Sequence, residues 1–217
     1  MNLYGARWYL FGATALAVAC AGGEEAATDG EAGDVQVASA ETSSQDAVGC
    51  YLHRGTREEA ASRPSPLTEV GLAFSGGTGL ICYGAPSAND RAVMGALVPF
   101  GEPWRAGANE PTTVHLTAAA SIGGVALEPG SYSIYAIPGE EEWQFFVNSN
   151  YERWGIPISD EVRSTEVGSF TATPETVDDM AEQLTFSYSP NGENTMGDIV
   201  LAWENTRVSF HLHPGSM

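Results

Sequence analysis

The amino-acid sequence predicts an all-β domain: an antiparallel two-sheet β-sandwich, jelly-roll-like, with one or two short helical turns. From Arg63 onward, apolar and polar residues alternate over short segments, as expected for strands with one buried face. Gly, Pro and Asn residues separate these segments, and no long stretch has helical periodicity. About eight to ten such strands pack most economically as two sheets around one core.

The strands are predicted in chain order from the alternating segments. They are expected at 70–74, 80–83, 112–118, 125–127, 131–137, 142–147, 166–173, 183–189, 198–203 and 207–212. The last two predict the clearest hairpin, because each places its large apolar residues on one face. Residues 91–98 are the expected helical turns, and residues 174–182 are expected to form a turn or one short helix.

The charge composition narrows the possible partners. The 217 residues carry a formal net charge of −19, from 28 Asp and Glu against nine basic residues, all of them Arg. Such a surface repels nucleic acid and anionic lipid headgroups, so we expect no nucleic-acid partner. Excess carboxylate without Lys also suits a protein kept soluble in concentrated salt, which predicts a halophilic source.

The N-terminus is predicted to be a targeting signal rather than part of the folded domain. Residues 1–19 contain Arg7, an apolar run from Trp8 to Ala19, and small residues directly before Cys20. This layout resembles a bacterial lipoprotein signal peptide, in which Cys20 is lipidated and anchors the chain to the cell envelope. Ordinary secretion and an uncleaved anchor are the alternatives, although the apolar run is short for a membrane span.

Residues 20–62 are predicted to be an acidic flexible tether, and residues 63–217 the folded domain. Residues 21–49 contain seven acidic residues and no basic residue, and such a segment buries too little apolar surface to fold. Cys50 and Cys82 remain after Cys20 is used. In an exported chain this pair predicts a disulfide, with two unpaired thiols as the alternative.

The densest mixture of Trp, Arg, Asn, Glu, Gly and Pro lies in residues 97–113. Five Pro and Gly residues predict a loop here. Within it, Arg105, Asn109 and Glu110 could hold a small-molecule or saccharide ligand through bidentate hydrogen bonds. Alternatively, internal ion pairs of Arg105 or Arg207 with Glu110 or Glu204 could lock the loop onto the sandwich.

Residues 63–213 resemble a bacterial exported family known as domain of unknown function 2911. The resemblance rests on RPSP from Arg63, YGAPSANDR from Tyr83, LVPFGEPWRAGANEPTT from Leu97, LEPGSYSIYAIPGEEEW from Leu127, Trp154-Gly155, and WENTRVSF from Trp203. It implies an all-β envelope domain, often lipid-anchored, with no established activity. The motif positions that carry over are Arg91, Trp104, Arg105, Gly107, Asn109, Glu110, Trp143, Trp154, Trp203, Glu204 and Arg207. Asn89-Asp90 stands where the family usually has a basic residue, which would weaken the binding of an anionic ligand.

The ligand-binding candidates are therefore Arg91, Trp104, Arg105, Asn109, Glu110, Trp154 and Arg207. Trp143 and Trp203 alternate with apolar residues and are expected in the core, whereas Trp104 and Trp154 lie in loops and could stack on a ligand.

The sequence favours a non-catalytic ligand-binding or structural module, anchored to the membrane by its lipid. A hydrolase acting on saccharide or ester substrates through Glu110 and Arg105 is the alternative, and Glu110 with Glu204 could act as paired carboxylates. His115, His211 and His213 match a metal site only weakly. No metal or cofactor is predicted, because the usual metal, nucleotide and nucleophile motifs are missing.

Overall fold

The computed structural model describes residues 49–192 and 196–215. The predicted signal peptide, the lipidation site Cys20 and most of the predicted tether lie outside these residues. Each part of the described chain belongs to one compact unit.

The described chain forms ten strands and two short helices. The strands are β1 (Leu67–Phe74), β2 (Gly77–Gly84), β3 (Ala108–Leu116), β4 (Ala120–Ile122), β5 (Val125–Leu127), β6 (Gly130–Ile137), β7 (Trp143–Asn148), β8 (Glu166–Ala172), β9 (Pro174–Asn191) and β10 (Met196–Pro214). The helices are α1 (Arg57–Ala61) and α2 (Asp160–Arg163). Six strands form one sheet in the order β1-β2-β3-β6-β7-β8, and four form the other in the order β5-β4-β10-β9. All pairings between these strands are antiparallel, so the predicted all-β, two-sheet fold is confirmed.

The core lies between the two sheets and is rich in aromatic rings. Phe145 of β7 packs 5.1 Å from Phe170 of β8 and 5.1 Å from Phe210 of β10, measured between ring centroids. Trp143 and Trp203 are fully buried, as expected from their alternation with apolar neighbours. Each buried aromatic side chain removes a large apolar area from water, which makes this cluster a main source of stability.

Strand β10 reverses its direction within its own length. Its register with β9 shifts on both sides of Glu204, which has a φ of +54°. The carboxylate of Asp198 lies 2.6 Å from the ring of His211, although 13 residues separate them. A fully extended segment of that length would span roughly 40 Å. The two halves of β10 therefore lie side by side, in the places where the sequence predicted two strands of a hairpin.

Two local predictions are wrong and one strand was not predicted. Residues 91–98 form turns closed by the hydrogen bonds Leu97 N–H to Ala92 C=O and Val98 N–H to Val93 C=O, at 3.3 and 2.9 Å, rather than helical turns. Residues 174–182 continue β9 rather than forming a turn or helix. Strand β4 was not anticipated because its three residues are too few to show an alternating pattern.

Both helices are capped but very short. Thr56 caps α1 through a complete capping box with Glu59, and the hydroxyl of Ser159 accepts the backbone N–H of Val162 in α2. Neither is long and apolar enough to cross a membrane, and no other helix occurs in the described part of the chain.

The outer face of the six-stranded sheet carries buried polar side chains. Ser133 donates to the backbone carbonyl of Asn150 at 3.0 Å, and Asn148 donates to that of Val162 at 2.6 Å. His115 is 2% exposed and bonds the hydroxyls of Thr113 and Ser131. These bonds supply the partners that buried polar groups require. Residues 149–165 thus cover part of this face and are fixed to it.

Residues 50–62, predicted to belong to the tether, are attached to the domain in the structure. A disulfide joins Cys50 to Cys82 of β2, the pair expected to form one. Arg57 of α1 forms an ion pair with Glu69 of β1. Ala60 of α1 is completely buried. The folded domain therefore includes residues before α1.

Candidate functional site

A cavity of about 270 Å³ lies beside the start of β3 and contains two of the predicted site arginines. Its lining residues are Ser65, Pro86, Arg91, Leu97, Val98, Trp104, Arg105, Gly107, Ala108 and Trp203. The loop of residues 97–107 and the turns before it supply most of the wall. Among the described residues, the only charged side chains that line the cavity are Arg91 and Arg105. An uncompensated positive charge here is unusual, because the chain as a whole carries −19.

Arg105 is the central charged group of this cavity. Its Nε atom is buried and has no hydrogen-bond partner among the described residues. No described carboxylate forms an ion pair with it. Burial lowers the pKa of the Arg105 guanidinium from its ordinary value. Buried polar groups in folded proteins nearly always have partners, so Arg105 is one of the few exceptions among the described residues.

Arg91 is held at the cavity by the backbone of the turn that precedes it. Its Nε donates to the carbonyl of Ala88 and its Nη2 to the carbonyl of Ser87, both at 2.8 Å. These bonds fix the guanidinium plane and leave Nη1 without a bond to the described residues. Because the side chain is exposed, Arg91 presents its remaining donors near the cavity opening.

Trp104 forms an aromatic wall of the cavity. Its ring stacks on Trp203 with an interplanar angle of 21° and a centroid distance of 6.1 Å. It also meets Trp143 edge to face at 5.9 Å. Backbone hydrogen bonds in both directions between Trp104 and Ala136 of β6 hold it in place. The ring is only partly buried, so it can contact a ligand while its other contacts keep it rigid.

Left-handed backbone conformations surround the cavity. In the described ranges, five residues other than glycine have positive φ: Asn89, Asp90, Ala106, Asn109 and Glu204, with φ between +51° and +65°. Each lies within two positions of a residue that lines the cavity. For Ala and Glu this conformation is costly, by roughly 1–3 kcal/mol each, and such residues concentrate at functional sites. The hydroxyl of Thr112 donates to the carbonyl of Ala106 at 2.8 Å and helps to hold this conformation.

Gly155 forms the support behind Arg105. Its N–H donates to the carbonyl of Asn109 at 3.1 Å. A Cβ atom at this position would lie 2.4 Å from that carbonyl oxygen and 2.5 Å from Cδ of Arg105. Only glycine allows the two segments to approach this closely. Gly155 is therefore required to position the arginine, a role that its loop position alone did not reveal.

A family model described as "Protein of unknown function (DUF2911)" matches residues 65–212, which is more than half of the chain. The chain belongs to the DUF2911 family. Every residue that lines the cavity falls within the DUF2911 match, whereas Cys50, α1 and Arg63 lie before it. No curated protein and no solved structure matches the chain.

Two of the predicted site residues in the DUF2911 region point to other partners. Glu110 is buried, accepts Nη1 of Arg63 at 2.7 Å, and accepts the backbone N–H of His53 at 3.2 Å. Asn109 donates to the carbonyl of Ser65 at 2.9 Å. Neither residue lines the cavity. The candidate set is thus divided, with Arg105 at a cavity and Asn109 and Glu110 fastening the N-terminal segment.

Trp154 and Arg207 also lie away from the cavity lining. The ring of Trp154 packs 5.8 Å from that of His53, and the guanidinium of Arg54 lies 5.3 Å from its centroid. Arg207 is exposed and stands opposite Glu175 of β9. Trp154 therefore stabilises the attachment of the N-terminal segment, and Arg207 belongs to the strand surface.

Glu204 has a structural role in the cavity wall rather than that of a catalytic carboxylate. Its Oε2 accepts the backbone N–H groups of Val93 and Met94 at 3.3 and 3.4 Å. The alternative ion pairs of Glu110 or Glu204 with Arg105 or Arg207 are not formed: Glu110 pairs with Arg63, and none of Arg105, Arg207 and Glu204 forms an ion pair with another described residue.

The three candidate metal-binding histidines do not come together. His115 lies in the six-stranded sheet, while His211 and His213 lie in the four-stranded sheet. Burial lowers the pKa of His115, whose two ring nitrogens both bond hydroxyl groups. No cluster of three or more potential metal ligands occurs among the described residues.

Several residues that complete the site were not predicted from the sequence. Ser65, Pro86 and Val98 line the cavity, and Arg63 neutralises Glu110. Arg63, Ser65 and Pro86 occur inside the RPSP and YGAPSANDR motifs, so the signal was present in the sequence. Their roles depend on contacts between residues distant in the chain, which spacing alone does not give.

Proposed function

We propose that this DUF2911 domain is a non-catalytic binding module for a small anionic ligand, which Arg105 and Arg91 hold in the cavity beside Trp104. One observation carries the proposal: the cavity contains two arginines and no carboxylate, in a domain with 19 acidic residues and six arginines from Arg63 onward. Guanidinium groups match carboxylate and phosphate oxygens with paired hydrogen bonds.

Binding is favoured over hydrolysis by the chemistry of the lining. General acid-base catalysis usually employs His, Asp, Glu, Lys, Tyr or Cys within hydrogen-bond reach of the reacting group. The described lining residues include none of these six types. Glu110, the acid proposed for a hydrolase, is engaged by Arg63 and His53. The available groups can therefore hold and orient an anion but do not include a proton-transfer pair.

The test is calorimetric titration of the full chain with small carboxylates, sulfate and phosphate. At least one anion should bind, and Arg105→Gln should weaken its binding by at least tenfold, since hydrogen bonds to charged groups contribute about 1.5–3 kcal/mol. Arg207→Gln is the matched control, because it removes the same charge from an exposed strand position outside the cavity. Equal losses in both variants, or no binding of any anion, would contradict the proposal.

We further propose that Cys20 is lipidated and that the module is anchored to the envelope by its acidic N-terminal segment. The layout of residues 1–20 supports this. The intact mass of the mature protein should show an acylated N-terminal Cys20, and Cys20→Ser should release the protein from membranes. A halophilic source is supported by the charge of −19 without Lys. Molar salt should then raise the thermal midpoint, and an unchanged midpoint would count against it.

A further inference from the structure

The cavity is small and most of its lining side chains are apolar. A volume of about 270 Å³ is room for about nine water molecules. It falls just below the roughly 300–1,000 Å³ range of typical ligand pockets, so the ligand is smaller than most cofactors. Apart from the two arginines, Ser65 is the only lining residue with a polar side chain that is not an indole.

The arginines are arranged for one anionic group rather than for several. The Nε and Nη2 atoms of Arg91 already donate to the carbonyls of Ala88 and Ser87. Arg105 donates no hydrogen bond to the described residues, and because its Nε is buried, the two Nη groups are the donors that a ligand can reach. Two such donors pair with two oxygens of one anionic group, as a carboxylate presents them.

The side chains that line the cavity determine whether the rest of the ligand is polar or apolar. Val98 and Ala108 are buried, Trp104 offers a partly exposed ring, and Leu97 is 42% exposed at the opening. A sugar would bring several hydroxyl groups and find few side-chain partners, and buried polar groups without partners are costly. An apolar body would instead gain from burial against these walls.

We infer that the ligand is a small monocarboxylate with a flat or branched apolar body, bound with its carboxylate on Arg105 and its body against the accessible side chains of Trp104 and Leu97. This inference rests on the proposed anion-binding function and specifies its ligand class. An aryl or branched alkyl carboxylate is therefore a better fit to the cavity than a saccharide, the other ligand class expected from the sequence.

The experiment compares five probes by calorimetry on the full chain at pH 7: phenylacetate, acetate, glucuronate, inorganic phosphate and phenylacetamide. Phenylacetate should bind on the order of tenfold more tightly than each of the other four, because only it satisfies both the guanidinium and the apolar walls. Phenylacetamide keeps the ring and removes the charge, so it isolates the contribution of the arginines.

A rim variant tests the apolar contact separately from the charge. Leu97→Ser should weaken phenylacetate binding by roughly three- to tenfold. Val167→Ser is the matched control, because Val167 is similarly exposed and lies on β8, outside the cavity lining. Tighter or equal binding of glucuronate, phosphate or acetate, or no effect of Leu97→Ser, would overturn the ligand class while anion binding stands. If no probe binds, the proposed function fails as well.

Discussion

The ion pair between Glu110 and Arg63 offers the clearest separation of scaffolding from binding. Glu110 is 6% exposed, whereas the Arg63 side chain is 21% exposed and donates a second hydrogen bond to the carbonyl of Arg54. Glu110→Gln removes the charge but retains an oxygen that can still accept the N–H of His53. The substitution therefore tests one charged hydrogen bond rather than the whole network.

The expected loss follows from these contacts. A hydrogen bond to a charged group contributes about 1.5–3 kcal/mol, and water near the partly exposed Arg63 places the loss at the lower part of that range. In a protein of this size, a loss of about 2 kcal/mol lowers the melting temperature by roughly 4–8 °C. Because Glu110 does not line the cavity, anion affinity should change little.

The assay is guanidinium unfolding of Glu110→Gln, Arg63→Gln and the double variant, with Glu141→Gln as an exposed control. The double-variant cycle should give a coupling free energy of about 1–2 kcal/mol. A change within about 0.5 kcal/mol for Glu110→Gln would refute a structural ion pair. A loss of anion affinity as large as that of Arg105→Gln would instead place Glu110 in the binding site.

Three further predictions concern other parts of the fold. Loss of the Cys50–Cys82 disulfide by Cys82→Ser should lower the free energy of unfolding by about 3–4 kcal/mol, and reductant should lower that of the unmodified protein similarly. Equal stability with and without the disulfide would contradict the loop-entropy argument. Burial lowers the pKa of His115, so the unfolded chain binds the proton first, and stability should fall as pH drops below about 6.5. His115→Asn should flatten this dependence between pH 7 and pH 5, and an unchanged slope would exclude His115 as its source. Gly155→Ala should destabilise the domain by about 1–3 kcal/mol and weaken anion binding, whereas Gly71→Ala, whose Cβ would contact nothing within 4 Å, should leave anion binding unchanged.

Local alternation of apolar and polar residues was sufficient to predict the all-β, two-sheet architecture. Alternation along Ile199, Leu201 and Trp203 predicted a buried face, and all three are buried in the structure. Such patterns report which side of a strand faces the core, and that information is local. They did not predict β4 or the irregular turns of residues 91–98, where backbone hydrogen bonds and the carboxylate of Glu204 decide the conformation.

The candidate site was predictable only in part, because charge pairing is not local. Arg105 was identified from its neighbours in the sequence, and it does line a cavity. Its proximity to Glu110 in sequence suggested a shared role, yet the partner of Glu110 is Arg63, 47 residues earlier. Asn109 has a φ of +65°, so the backbone between Arg105 and Glu110 departs from a regular extended strand. Arg105 and Glu110, five positions apart, can therefore contact different parts of the structure.

The Cys50–Cys82 disulfide also defines how mechanical load would enter the domain. A pull applied on the N-terminal side of Cys50 passes through the covalent bond directly into β2. The chain between the two cysteines, which includes α1, Ser65 and β1, then carries no tension. Ser65 lines the cavity, so its wall would keep its shape while the N-terminal segment is stretched. If the proposed anchor and binding site both exist, the bond would keep tension on the anchor from changing the shape of the cavity.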